Sequence, residues 1–184
     1  MKSVFPLIAL IATVTIAIDA SALRFYETDT AVAFQENCED LLLYAVGKAK
    51  KEIIVAAYAF TRHQIADALI EANENGIEVK VKMDREQGEN EYGSPTVDKL
   101  EDNDIDIQLI EMPRYRHMHN KFIIVDERYV LTGSYNFPNA ATKDNYENVV
   151  LIDDEDVAKL FVLEWERIKD KKAKKKAKKK KKKK

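Results

Sequence analysis

Between His119 and Asn136 the chain places, in eighteen residues, side chains suited to attack on a phosphodiester: His119, Lys121, Asp126, Gly133, Ser134 and Asn136. His119 can attack phosphorus or protonate a leaving oxygen. Lys121, Ser134 and Asn136 can hold phosphoryl oxygens, the role that metal ions fill elsewhere. In an extended segment side chains alternate, so His119 and Lys121 share a face about 7 Å apart along the chain. Ile123 and Val125 continue that face, and Phe122 and Ile124 occupy the other. A strand apolar on both sides belongs inside a sheet covered by helices. A lysine beside it is costly without an anionic partner. Gly133 is expected to allow a tight turn that returns Ser134 and Asn136 to the strand. By parity Asp126 points away from His119, which leaves a structural hydrogen bond and a catalytic part equally open.

Six positions fixed at about 1 in 20 each recur by chance at roughly 10⁻⁸ per start point. The run resembles the signature of the phospholipase D superfamily, His-x-Lys-x4-Asp-x6-Gly-Ser-x-Asn, and every fixed residue of it is present. The resemblance implies that Glu147, eleven residues past Asn136, is the carboxylate that orients His119. It also implies a mixed β-sheet flanked by helices. The signature occurs once. A one-copy chain of this size resembles the small bacterial Nuc-type endonucleases, which pair two chains in one site, and the likeness covers most of residues 34–169.

The charge is unevenly distributed. Net charge is −2, from 30 basic and 32 acidic residues. Thirteen lysines and Arg167 lie from position 167 onward against one acid, Asp170, so that end carries +13. The remaining 16 basic and 31 acidic residues leave the body at −15. Such asymmetry points to an anionic partner for the tail, a nucleic acid or an anionic membrane surface. The lysine run, residues 170–184, is expected to be disordered when free, because like charges repel and nothing apolar can bury.

Residues 1–22 read as a secretory signal: Lys2, an apolar stretch from Val4 to Ile18, and Ala20-Ser21-Ala22 as the cleavage pattern. Residues 23–169 then form one domain, too short for two comfortable cores, in an exported, periplasmic or secreted protein. An uncleaved membrane anchor is the alternative. Cys38, the single cysteine, sits at helical spacing with Leu41, Leu42 and Ala45 and reads as an inert buried residue. It rules out a cysteine-based zinc site.

The elements that must position the motif alternate as strands and helices, which argues an α/β fold. Strands are expected at 31–34, 52–60, 77–83, 105–110, 129–132 and 149–152 besides the motif strand. Helices are expected from Asn37 to about Lys51, from a Thr61/Gln64 capping box to Asn75-Gly76, over 96–101, and over 154–169. The last helix carries Val157, Leu160, Phe161, Trp165 and Ile168 on one face. Residues 85–95, polar and rich in glycine, read as a mobile loop.

His117 shares the face of His119, but the neighbouring lysine would repel a cation and no carboxylate ligand set accompanies the pair, so no metal or other cofactor is expected. His117 lines the cleft in this reading, and Arg114 and Arg116 contact a nucleic-acid backbone. The chemistry points to a metal-independent phosphodiesterase. A homodimeric nuclease acting through a phosphohistidine on DNA or RNA is the leading expectation. A phospholipase D or cardiolipin hydrolase, and a non-catalytic nucleic-acid-binding module, are the rivals.

Overall fold

A computed structural model describes residues 28–35, 37–137 and 145–171. The leader 1–22 and the lysine run beyond Lys171 lie outside the described residues. Seven strands form one sheet in the order β1-β7-β6-β5-β2-β3-β4. They are β1 (Asp29–Phe34), β2 (Glu52–Ala57), β3 (Glu78–Asp84), β4 (Asp106–Ile110), β5 (Phe122–Val125), β6 (Tyr129–Gly133) and β7 (Asn148–Asp153). Strands β2, β3 and β4 are parallel. Strand β5 runs antiparallel to β2, and β6, β7 and β1 alternate from there. The helices are α1 (Asn37–Val46), α2 (His63–Glu74), α3 (Arg85–Gly88), α4 (Ser94–Glu101) and α5 (Glu155–Arg167). This is the mixed sheet flanked by helices that the sequence implied.

Period-two alternation divides the core. Ile53, Val55 and Ala57 of β2, with Ile123 and Val125 of β5, pack under α1 and α2. Ile54, Ala56, Phe122 and Ile124 pack toward α5 through Val157, Ala158 and Ile168. The central strands are therefore buried on both faces, as their unbroken apolar runs require. Cys38 is buried, as expected, with Sγ 3.5 Å from the Ala33 carbonyl.

Several boundaries differ from expectation. Helix α1 ends at Val46, and the backbone amides of Lys50 and Lys51 turn instead to Asp126. Strand β2 ends at Ala57, while Phe60 forms an isolated bridge with Phe137. The capping box does not form: Arg62 is the N-cap of α2 and makes no side-chain cap. Its guanidinium instead grips Glu39 with two hydrogen bonds of 3.0 and 2.6 Å, joining α2 to α1. Residues 85–95 are not a loop throughout: α3 takes 85–88, a turn follows, and α4 begins at Ser94. Asp84 caps α3 at Gln87 N, and a Cβ on the buried Gly88 would meet Leu109 at 2.6 Å. Leu160 lies on the exposed side of α5 and leaves the apolar face to the other four residues. Gly76 has φ +84, the left-handed helix end that its sequence announced.

Candidate active site

Strand direction gathers the chemistry at one edge of the sheet. Parallel strands β2 and β3 end there with Tyr58 and Asp84. Antiparallel β5 begins there after Lys121, β6 ends there just before Ser134, and β7 begins there after Glu147. The carboxyl ends of parallel strands are where open α/β sheets place their ligand crevices.

His119 and Lys121 lie just ahead of β5, outside the ladder. Thr132 Oγ1 donates to the Lys121 carbonyl at 3.0 Å and fixes the segment against β6. The Lys121 ammonium is 3.2 Å from both ring nitrogens of His119 and 3.1 Å from its carbonyl oxygen. Equal distance to two nitrogens puts the ammonium over the imidazole face rather than along either lone pair. Partial burial lowers the pKa of His119, the charges of Lys121 and His117 lower it further, and Asp84 opposes them. Burial also lowers the pKa of Lys121, against the pull of Glu147.

Two residues that the sequence reading missed hold this pair. The Tyr58 ring lies 4.6 Å from that of His119 and 5.5 Å from that of His117, centroid to centroid, with the Lys121 ammonium 5.2 Å from its centre. Asp84, only 2% exposed, accepts the backbone N–H of Met118 at 2.8 Å, between the two histidines. Its Oδ2 is also 4.0 Å from His117 Nδ1. The available signal was positional: both residues end strands of a parallel pair.

Ser134 joins the site, but its hydroxyl is engaged. It donates to Glu147 and accepts the Asn148 N–H at 3.1 Å. Glu147 is thus tied to Ser134, and in the described chain it does not meet His119, contrary to the role the resemblance gave it. Gly133 is needed for close approach rather than a turn, since a Cβ there would stand 2.0 Å from the Asn148 carbonyl oxygen. Asn136 follows in the same loop, which Phe137 N–H→Ala59 carbonyl (3.1 Å) ties to the end of β2. Its Oδ1 is buried without a hydrogen-bond partner among the described residues.

Asp126 stands at the opposite end of β5. It takes the backbone N–H groups of Lys50, Lys51 and Glu52 at 2.8–3.2 Å and steadies a turn with positive φ at Asp126 and Glu127. These bonds are the structural role that was one of its two expected parts. His117 lines the cleft beside His119, as expected. Arg114 lies over Tyr115, with 4.8 Å from guanidinium carbon to ring centre, on an exposed loop. Arg116 faces a neighbouring cavity of about 250 Å³ among the carboxylates of Glu86, Glu89 and Glu111, a setting that competes with phosphate. Among the described residues no three His, Cys, Asp or Glu side chains converge as a metal would need.

Fold and site together define a phosphodiesterase scaffold, and comparison with known proteins places it. A family model described as "Cardiolipin synthase, PLD-like domain" matches residues 42–169, and the chain belongs to the phospholipase D superfamily. It is 33% identical to Phospholipase D of Rickettsia conorii (strain ATCC VR-613 / Malish 7) over 129 residues, 70% of this chain and 62% of that protein. It is 31% identical to mitochondrial cardiolipin hydrolase of Homo sapiens, over 72% of this chain and 51% of that one. The chain thus spans less than two thirds of these relatives. Among solved structures it resembles Nuc from Salmonella typhimurium, a phospholipase D family member. Identity is 30% and the TM-score 0.72, over 77% of this chain and 94% of that one. NucT from Helicobacter pylori, at 23% identity and TM-score 0.71, shares the fold.

Proposed function

We propose that the chain is an exported, metal-independent endonuclease that cleaves DNA or RNA in a homodimeric site. The observation that carries this reading is the likeness to Nuc over 94% of the Nuc chain, joined to the single intact signature. The relatives named for lipid substrates are covered over much less of their length.

His119 attacks phosphorus in its neutral form, which its lowered pKa favours; a P–N bond forms as the bond to the leaving oxygen breaks. The His119 of a second chain, its protonated form favoured by the bound phosphodiester anion, gives that oxygen its proton. It then takes a proton from the water that attacks phosphorus and releases the enzyme. Lys121 neutralises charge on the phosphoryl oxygens, and the signature assigns Asn136 to the same oxygens. Ser134 can contact phosphate once phosphate displaces Glu147. His119 and Ser134 are exposed in the single chain, which suits a half-site that a partner completes. The lysine run tethers the polyanion, and the leader directs export.

The names of the relatives favour a second reading, a phospholipase D or cardiolipin hydrolase. Incubation of the purified chain with DNA, RNA and phospholipid vesicles in parallel, all with EDTA, separates the two. Nucleic acid should be cut in chelator. Turnover of lipid alone, or restoration only by added magnesium or zinc, would overturn the proposal.

A further inference from the structure

A cleft of about 710 Å³ opens beside His119, between its segment and the C-terminal end of α5. Met112, with the largely buried Met118 and Ile168 behind it, supplies an apolar wall, and Arg167, Lys169 and Lys171 line it with positive charge beside one acid, Glu164. The phosphodiesterase chemistry uses none of these residues.

The basic segment is held in place. The backbone leaves α5 extended at Ile168, with φ −69 and ψ 112. The Lys82 ammonium, in a residue only 7% exposed, donates at 3.0 Å to the carbonyls of both Trp165 and Ile168. It also lies 3.7 Å from the centre of the Trp165 ring. Two residues on, Asp170 Oδ1 accepts the Glu111 N–H at 2.8 Å, and the Lys171 N–H reaches the Glu111 carbonyl at 2.9 Å. These bonds continue the line of β4 and fix the path of the chain as it leaves the domain. Arg167 stands 4.0 Å from Glu164. Lys169 and Lys171 are exposed and have no ion-pair partner among the described residues.

We propose that this rim is the track by which a single strand of nucleic acid reaches His119, its phosphates on Lys169 and Lys171 and its bases on the apolar wall. The inference rests on the nuclease reading. Cations repeated along a fixed extended segment match a polymer of phosphates, whereas a lipid headgroup brings one diester, or two in cardiolipin, to the site. Base faces gain from an apolar wall only when unpaired, since a duplex hides them.

The test uses the full chain carrying Arg167→Gln, Lys169→Gln and Lys171→Gln together. Its charge-matched control is Lys48→Gln, Lys50→Gln and Lys51→Gln, three exposed lysines near Asp126 at the opposite edge of the sheet. KM is measured on long single-stranded DNA, on duplex DNA and on bis(p-nitrophenyl) phosphate, and binding to vesicles of phosphatidylglycerol is measured alongside. At low salt the rim variant should raise KM for single-stranded DNA about tenfold more than for the small diester. Its log–log salt slope should become shallower by about 2. The control should stay close to wild type, which should favour single strands over duplex. Equal losses in the two variants, a duplex KM at or below that for single strands, or loss of vesicle binding with DNA KM unchanged would each overturn the track. Wild type that cuts the small diester but no nucleic acid would instead overturn the nuclease reading itself.

Discussion

The Lys121 ammonium lies over the face of His119, 3.2 Å from each ring nitrogen. A cation so placed opposes protonation of the ring and keeps the imidazole available as a nucleophile. His119 should therefore titrate below the ordinary 6.5. Neutral imidazole then persists to lower pH than in an ordinary histidine, and the acid limb of kcat/KM falls below pH 6.5. In Lys121→Met one lowering charge is gone, so an NMR titration should move the His119 midpoint upward. Turnover should fall by several orders of magnitude, because charge on the phosphoryl oxygens goes unmatched.

Tyr58 touches both histidines through its ring. Tyr58→Leu should lower kcat roughly 10- to 100-fold, in line with the loss expected when a reacting group is poorly oriented. Tyr58→Phe keeps the ring and should stay within about threefold of wild type. Equal loss in both variants would assign the effect to the hydroxyl and contradict a positioning ring.

Asp126 should matter to stability rather than chemistry. Asp126→Ala removes the acceptor of three backbone amides, two of them open to water, and should destabilise the fold by about 1–2 kcal/mol. Thermal melting reads the loss. The fraction that remains folded should keep wild-type kcat, and an inactive but fully folded variant would restore the catalytic alternative.

Pairing of two half-sites predicts a dimer by analytical ultracentrifugation. Mixed dimers of His119→Ala and wild-type chains should be inactive or stall as a covalent intermediate. Full specific activity in a monomer at nanomolar concentration would argue against the paired site.

The sequence showed the residues that act within their own stretch of chain and concealed those brought together by strand order. The His119–Asn136 run, the apolar alternation of β5 and the Asn75-Gly76 helix end are local patterns, and the fold uses them as expected. Tyr58 reaches His119, and Asp84 the Met118 amide beside it, only because β5 lies beside β2 and β2 beside β3, an order that no local spacing reveals. Parity did set Asp126 apart from His119. The three amides that claim it come from residues more than seventy positions away. Residues 85–95 looked like a loop because short helices owe their stability to tertiary packing, here Gly88 closed against Leu109. Glu147 was recognised as part of the site, but its partner, Ser134, was not foreseen.

The most direct test of the central claim is to quench turnover of DNA labelled with ³²P at the scissile phosphate, in EDTA, and locate the label on the protein. A phosphohistidine intermediate should leave an acid-labile, alkali-stable adduct on the peptide containing His119, absent from His119→Ala. DNA cleavage by wild type with no protein-bound label, retained in His119→Ala, would contradict it.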